Sequence, residues 1–131
     1  RLYLFARRKL LSATKDHSLI QQFVDAGHCS PEQLRRHPRR SILCAAVGVE
    51  GSAPADITQD VTQLQGGDTF LVCSDGFWEW ISEAEMEQAA LQAGSAQDWL
   101  DLMHEIVEKN GKASNIPLDN CTAFTIYVAE P

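Results

Sequence analysis

The chain has 131 residues, of which 44% are hydrophobic and 22% charged, as in one ordinary globular domain. Its formal net charge of −7 argues against broad affinity for nucleic acid, which depends on a basic surface. No apolar run reaches the roughly 18 residues of a membrane span, and residues 1–8 lack the apolar core of a signal peptide. We therefore expect a cytoplasmic protein with neither a membrane nor a nucleic-acid partner.

The first part of the chain predicts two strands and two helices. The strands are predicted over residues 2–5 and 9–14, around a basic turn. A capping box of Ser18 and Gln21 then predicts a helix, and Ser30 predicts the start of a shorter one.

The rest of the chain predicts four strands, two helices and one long loop. The strands are predicted over residues 41–48, 56–64, 69–74 and 121–128, the helices after Ser82 and Ser95, and the loop over residues 110–120. Strict alternation in the last strand predicts that Phe124, Ile126 and Val128 are buried on one face. Turns between strands, with helix pairs outside them, favour an α+β fold built on antiparallel sheets.

The cysteines and one basic run predict no site of their own. No C-x-x-C pair occurs, and Cys44, Cys73 and Cys121 fall in apolar contexts typical of reduced core residues. A zinc site at His28-Cys29 would need a spacing that fits no common zinc motif. The run of residues 35–40, RRHPRR, either contacts phosphate groups or is the solvated end of a helix.

Two aspartates occupy matching places in the strand pattern. Asp75 follows the predicted strand TFLVCS, and Asp119 precedes the predicted strand CTAFTIYV. If these strands are antiparallel neighbours, both carboxylates emerge at the same end of the sheet. Two adjacent carboxylates repel each other unless a cation lies between them, and oxygen ligands favour Mg²⁺, Mn²⁺ or Ca²⁺. The alternative is structural, because Asp-Gly is a common turn and aspartate often caps a following helix.

The segments GDTFLVCSDGFWEWIS and DNCTAFTIYV resemble the metal-dependent serine/threonine phosphatases of the PPM family, type 2C class. Residues 1–14, TKDHS and HPRRSILCAAVG match further segments of that family in the same order, so the resemblance covers nearly the whole chain. It is strongest to the compact bacterial members.

The resemblance implies a four-layer α-β-β-α sandwich with two antiparallel sheets, and two Mn²⁺ or Mg²⁺ ions that activate a water for attack on phosphorus. By motif match, Asp75 and Asp119 are metal ligands, and Asn120 and Gly76 support them without touching the metal. The substrate implied is a phosphoprotein.

One expected motif is missing. The family carries a bridging aspartate in an Asp-Gly-x-Gly-Gly loop, whereas the only Asp-Gly here is Asp75-Gly76. We therefore expect residues 1–131 to be the C-terminal portion of one phosphatase domain, with the N-terminal half absent. Such a fragment would hold only part of the two-metal centre and no catalytic residue, so it would be inactive alone.

Two further expectations follow from an incomplete domain. A sheet surface left uncovered would favour a homodimer or another association. The alternative to an enzyme is a pseudophosphatase or regulatory module that keeps the fold and binds a partner protein.

Overall fold

The computed structural model describes residues 1–51, 55–58, 61–114, 116 and 119–129. The strands are β1 (Leu2–Ala6), β2 (Lys9–Ala13), β3 (Thr69–Cys73) and β4 (Ala123–Tyr127). The helices are α1 (Leu19–Asp25), α2 (Gln33–Arg36), α3 (Asp75–Trp78), α4 (Glu83–Gln92) and α5 (Ala96–Ala113). All four strands pair antiparallel in the order β2-β1-β3-β4, which confirms the α+β class expected from the sequence.

The chain divides into two compact units. The first comprises Arg1–Thr14 and Leu64–Pro131, and contains the sheet together with α3, α4 and α5. The second comprises Lys15–Gln63 and contains α1 and α2.

The β1–β2 hairpin turns through two arginines. Arg7 and Arg8 have φ angles of 49° and 66°, so both adopt the left-handed conformation that matches the twist of a two-residue hairpin turn. This conformation costs free energy in residues other than glycine, so contacts elsewhere must hold it. Those contacts come from α4: Arg8 Nη1 donates to the carbonyl of Leu91 at 2.9 Å, and Glu87 accepts from Lys9 Nζ at 2.7 Å.

One face of the sheet carries the core of the first unit. Tyr3 pairs with Leu71, and both are fully buried on the side where α4 and α5 pack. Phe5 lies on the same face and meets Trp99 of α5 edge-on, with ring centroids 5.0 Å apart. The indole Nε1 of Trp99 donates to the carbonyl of Met86 at 3.0 Å, so the buried polar atom is satisfied.

The opposite face of the sheet is apolar and only partly exposed, because Leu4 on this face is buried. Leu2, Val72 and Phe124 form one row across three strands, with Ile126 in the next row, and their exposed fractions are 37%, 39%, 67% and 50%. The prediction that β4 buries Phe124 and Ile126 is therefore wrong. Its other face packs on α5, where Thr125 Oγ1 donates to the carbonyl of Ala96 at 2.9 Å.

Helices α4 and α5 begin where their caps predict. Ser82 and Glu85 form a complete capping box, with Glu85 N donating to Ser82 Oγ and Ser82 N donating to Glu85 Oε2 at 2.8 Å. Ser95 Oγ accepts from the amide of Asp98 at 3.1 Å. Helix α5 runs through Ala113, so residues 110–113 are helical where a loop was predicted.

Two further predicted strands, over residues 41–48 and 56–64, do not form in the described part of the chain. The segment 41–48 contributes only a single bridge between Ser18 and Leu43, with Leu43 62% exposed and Val47 fully exposed. Residues 56–58 and 61–64 are not in a strand, and residues 59 and 60 lie outside the described ranges.

The helices of the second unit differ in detail from their predicted boundaries. Ser18 caps α1 by accepting from Gln21 N, but the Gln21 side chain donates to Asp25 instead of closing the box. Helix α2 begins at Gln33, later than Ser30 predicts.

All four cysteines are free, but Cys73 alone is buried. Cys44 and Cys121 are exposed, so their interpretation as core residues is wrong. None of the described helices combines the length and apolar character that a membrane crossing requires.

Removing the α4 cap tests how much local stability the capping box supplies. Ser82→Ala deletes one member of the reciprocal pair, so we expect the free energy of unfolding to fall by about 1 kcal/mol in a denaturant titration. Ser12→Ala, on the exposed strand β2, is the matched control and should change it by less than about 0.5 kcal/mol. Equal effects of the two substitutions would contradict the assigned cap.

Candidate metal centre

The pairing of β3 with β4 brings Asp75 and Asp119 to the same end of the sheet. Cys73 and Ala123 are the last pair in register, and Ser74 N extends the ladder by donating to the carbonyl of Thr122 at 2.9 Å. Asp75 comes directly after this ladder on one strand, and Asp119 comes shortly before it on the other. The antiparallel arrangement expected from the sequence is confirmed, whereas the metal-binding role of the two aspartates stays a prediction.

The Ser74 side chain joins the two segments that carry these aspartates. Its Oγ accepts from the amide of Thr122 at 3.1 Å, and lies 3.3 Å from the carbonyl oxygen of Asn120 and 3.4 Å from that of Thr122. One hydroxyl carries one hydrogen, so it donates to one of these carbonyls at a time. The sequence analysis did not predict this role of Ser74. The sequence feature that could have indicated it is the position of a serine between a buried strand and an aspartate.

Gly76 permits the close approach of the Asp119-Asn120 backbone. A Cβ atom at position 76 would lie 2.4 Å from the carbonyl oxygen of Asn120 and 3.3 Å from that of Asp119. The first distance is far below van der Waals contact, and the obstacle is backbone. Glycine is therefore required here by space.

Each aspartate uses one carboxylate oxygen to fix its own orientation. Asp75 Oδ1 accepts from the amide of Gly76 at 2.9 Å, and Asp119 Oδ1 accepts from the amide of Asn120 at 2.7 Å. Both residues are exposed, and in the described ranges the Oδ2 atoms accept no hydrogen bond. Free carboxylate oxygens at one sheet end fit a hard divalent cation.

Asn120 and Gly76 contact the aspartates through their backbones. Their amides hold the two Oδ1 atoms, and the Asn120 carbonyl lies beside both Ser74 and the Gly76 Cα. This contact is of the supporting kind that the resemblance implied for these residues, although their role toward a metal stays a prediction.

Helix α3, which begins at Asp75, is anchored by Trp78. The Arg1 guanidinium lies 3.5 Å from the centroid of the Trp78 ring, a cation–π contact on a residue that is only 4% exposed. Arg1 Nη1 also donates to the Tyr3 hydroxyl at 3.3 Å. Burial raises the pKa of Tyr3 to about 12, although Arg1 opposes the shift, so this phenol stays neutral.

The described residues form no complete metal site. Nowhere in them do three or more His, Cys, Asp or Glu side chains gather in a geometry that could hold a metal ion. If Asp75 and Asp119 bind a metal, further ligands must therefore complete the set.

The basic run of residues 35–40 includes the end of a helix, as one of its two interpretations predicts. Helix α2 ends at Arg36 with His37 as its C-cap, so Arg35 and Arg36 occupy the last turn, where they suit the helix dipole.

Comparison with known proteins gives relatives of one kind. The serine/threonine phosphatase Stp of Listeria welshimeri is 35% identical over 114 residues, which is 87% of this chain and 44% of the relative. The serine/threonine phosphatase of S. agalactiae superposes with a TM-score of 0.80 at 26% identity, over 98% of this chain and 50% of that one. No family model matches the chain.

These relatives and structural neighbours are PPM-type phosphatases. The chain spans about half the length of the two proteins above, and it matches the fold of the S. agalactiae structure over nearly all its residues. The catalytic domain of PstP, solved in complex with two manganese ions, shares the fold with a TM-score of 0.71 at 23% identity.

The close contact at Gly76 predicts a position that does not tolerate a side chain. Gly76→Ala must displace the Asn120 carbonyl, so we expect lower stability by roughly 1–3 kcal/mol, as for overpacking. Amide chemical shifts of Asp119 and Asn120 should change with it. Gly94→Ala is the matched control, because its nearest obstacle is the flexible Asp98 carboxylate at 3.3 Å. A neutral Gly76→Ala would disprove the contact.

Proposed function

We propose that the protein containing this chain is a metal-dependent serine/threonine phosphatase that hydrolyses phosphate monoesters on phosphoproteins. The observation that carries the proposal is the exposed Asp75–Asp119 pair at the end of β3 and β4, in a chain whose relatives are PPM-type phosphatases. Residues 1–131 would be the C-terminal portion of its single phosphatase domain.

In this proposal Asp75 and Asp119 bind the metal through their free Oδ2 atoms. The amides of Gly76 and Asn120 hold the Oδ1 atoms, so each carboxylate is oriented before a cation arrives. The Ser74 hydroxyl sets the spacing of the two segments, and the Arg1–Trp78 contact holds α3 against the sheet. Such supporting groups raise metal affinity by limiting the positions that the ligands can adopt.

The cofactor proposed is Mn²⁺ or Mg²⁺, in a two-metal centre completed by residues outside positions 1–131. Carboxylate ligands suit either ion, and the manganese complex of the related PstP catalytic domain supports the choice. When bound, the ions lower the pKa of water and offset the charge that develops on the phosphoryl group. This chain contributes ligands and their positioning, with no catalytic group of its own.

The proposed compartment is the cytoplasm. Four free cysteines, two of them exposed, are typical of a reducing compartment.

Substitution of Asp75 tests the metal-binding role. In the protein that carries the whole phosphatase domain, Asp75→Asn removes charge while keeping size. We expect hydrolysis of p-nitrophenyl phosphate with Mn²⁺ to fall by more than the roughly 10–100-fold typical of residues that only support a ligand. The thermal unfolding midpoint without metal should change little, because the side chain is exposed.

Asp101→Asn, on the exposed surface of α5, is the matched control and should retain activity. Near wild-type turnover by Asp75→Asn would exclude Asp75 from the site. A wild-type protein with no turnover would favour a pseudophosphatase that only binds partners. Residues 1–131 alone should show no metal-dependent turnover, and activity there would overturn the proposal that the centre is incomplete.

We also propose that the exposed sheet face is an association surface. Leu2, Val72, Phe124 and Ile126 form a contiguous apolar area, and water-exposed areas of this kind favour contact with another protein surface. In a protein limited to residues 1–131, we propose that a second copy covers it by two-fold pairing.

Sedimentation of residues 1–131 at micromolar concentration tests this association. We expect dimers or larger species, and a clear shift toward monomer for the double variant Phe124→Thr, Ile126→Thr, because it removes apolar area from the face. Leu91→Gln is the control, since Leu91 is 50% exposed but lies on α4. A wild-type chain that stays monomeric and unfolds cooperatively would refute the proposal.

A further inference from the structure

A small cavity lies at the end of the sheet opposite the two aspartates. It is bordered by Thr69, the first residue of β3, and by Tyr127, the last residue of β4, and its volume is about 70 Å³. That volume is several times the ~10–15 Å³ that one water needs, so the cavity admits a group of several heavy atoms. Four residue steps along β3 separate its two ends by about 13 Å, so the cavity is distinct from the Asp75–Asp119 pair.

The inner wall of the cavity is apolar. It consists of the methyl groups of Ala90, Ala93 and Ala96 and the ring of Trp99, from the facing ends of α4 and α5. Small side chains leave the space open, and Trp99 is rigidly held by Phe5 and by its bond to the Met86 carbonyl. A short alkyl group therefore fits this wall.

The positively charged side chain of Arg8 lines the cavity. The left-handed turn and the bond from Nη1 to the Leu91 carbonyl fix the direction of Arg8, which lines the cavity. A guanidinium has five N–H donors, and this bond uses one of them. In the described residues, Arg8 pairs with no carboxylate, so donors remain for a ligand.

Two hydroxyl groups border the same space. The Thr69 Oγ1 atom is buried and has no hydrogen-bond partner in the part of the chain that the structure describes, which is an unfavourable state for a polar atom. The Tyr127 hydroxyl lies near Gly67, 3.9 Å from the position that a Cβ there would take. Both residues line the cavity, but an Oγ1 atom that no water-sized group can touch cannot meet a ligand there, so only the half-exposed Tyr127 could donate to an acceptor in it.

Nearby charge limits how much negative charge a ligand can carry. The N-terminus of α5 starts at Ala96 in the cavity wall and favours an anion. The Asp98 carboxylate, close to Gly94, opposes a second negative charge. One guanidinium beside an apolar wall thus suits a singly charged ligand better than a phosphate dianion.

We propose that this cavity binds a short-chain monocarboxylate, with its alkyl end against Ala93 and Trp99 and its carboxylate on Arg8. This inference does not depend on metal chemistry at the other end of the sheet. A negative result here would therefore not count against the phosphatase proposal, and the reverse also holds.

The test is a propionate titration of the ¹⁵N-labelled protein, with any sequence that flanks residues 1–131 retained and ionic strength held constant. We expect saturable amide shifts at Gly67, Gly94 and Ala96, with none at Asp75 or Asp119. Propionamide, which has the same shape without the charge, should produce much smaller shifts.

Two variants should weaken propionate binding by roughly tenfold or more, the order expected when a charge-assisted contact is lost. Arg8→Gln removes the charge but keeps an N–H donor for Leu91, and Ala96→Val fills the cavity without touching the arginine. Arg7→Gln is the matched control, since it makes the same charge change in the same turn outside the cavity. Unfolding curves of each variant verify that it is folded.

Several results would overturn the proposal. Shifts that do not saturate, or equal shifts with propionamide, would exclude a carboxylate site. Equal loss of binding in Arg7→Gln and Arg8→Gln would indicate unspecific charge attraction. Unchanged binding in Ala96→Val would exclude this cavity even if Arg8→Gln failed to fold.

Discussion

The close approach of two backbone segments at the end of β3 and β4 is the constraint on which the candidate metal centre depends. A Cβ atom on residue 76 would lie only 2.4 Å from the carbonyl oxygen of Asn120. Only glycine allows the Asp119-Asn120 segment to lie against the start of α3. Once this contact is made, Ser74 Oγ can bond to the same segment, and the aspartates are held by short stretches of backbone next to them.

The two faces of the sheet explain how a chain of half the relatives' length can have a core and still present apolar surface. On one face, Tyr3, Phe5 and Leu71 are covered by α4 and α5 and are fully buried. On the other, Leu4 is buried, whereas Phe124 and Ile126 remain half exposed or more. An apolar residue at such a position contributes to stability only when something covers it, because the free energy gained is proportional to the area removed from water. The sheet thus has the pattern of a central layer.

Sequence reasoning predicted the elements whose signals are local. Hairpin β1–β2, strand β3 and helices α4 and α5 follow from turn residues, β-branched runs and capping serines, each within a few positions. It failed where structure depends on distant partners. Residues 41–48 are predicted as a strand, but in the described residues they form a single bridge, between Ser18 and Leu43. Asn110 and Gly111 look like a loop start, yet Asn110 Nδ2 donates to the Trp80 carbonyl at 2.8 Å and Gly111 is buried, so tertiary contacts extend α5.

Alternation gives a further example of what a sequence leaves open. It predicts that Phe124 and Ile126 share a face of β4, which the register confirms, but both faces of a strand can be covered in a complete domain. The helices cover the face that carries Thr125, whose Oγ1 donates to the carbonyl of Ala96, and such a contact between distant parts of the chain is not visible in the alternation.

The two interpretations of Asp75, as a turn residue and as a metal ligand, describe different oxygen atoms of one side chain. Its Oδ1 accepts from the Gly76 amide, as an aspartate in an Asp-Gly turn does, while its Oδ2 accepts nothing from the described residues. Because this hydrogen bond already orders the carboxylate, less conformational entropy is lost when a cation binds. Asp119 repeats this arrangement with the Asn120 amide. The turn therefore orients the carboxylate for the proposed metal binding. Evidence that an aspartate belongs to a turn does not argue against its being a metal ligand.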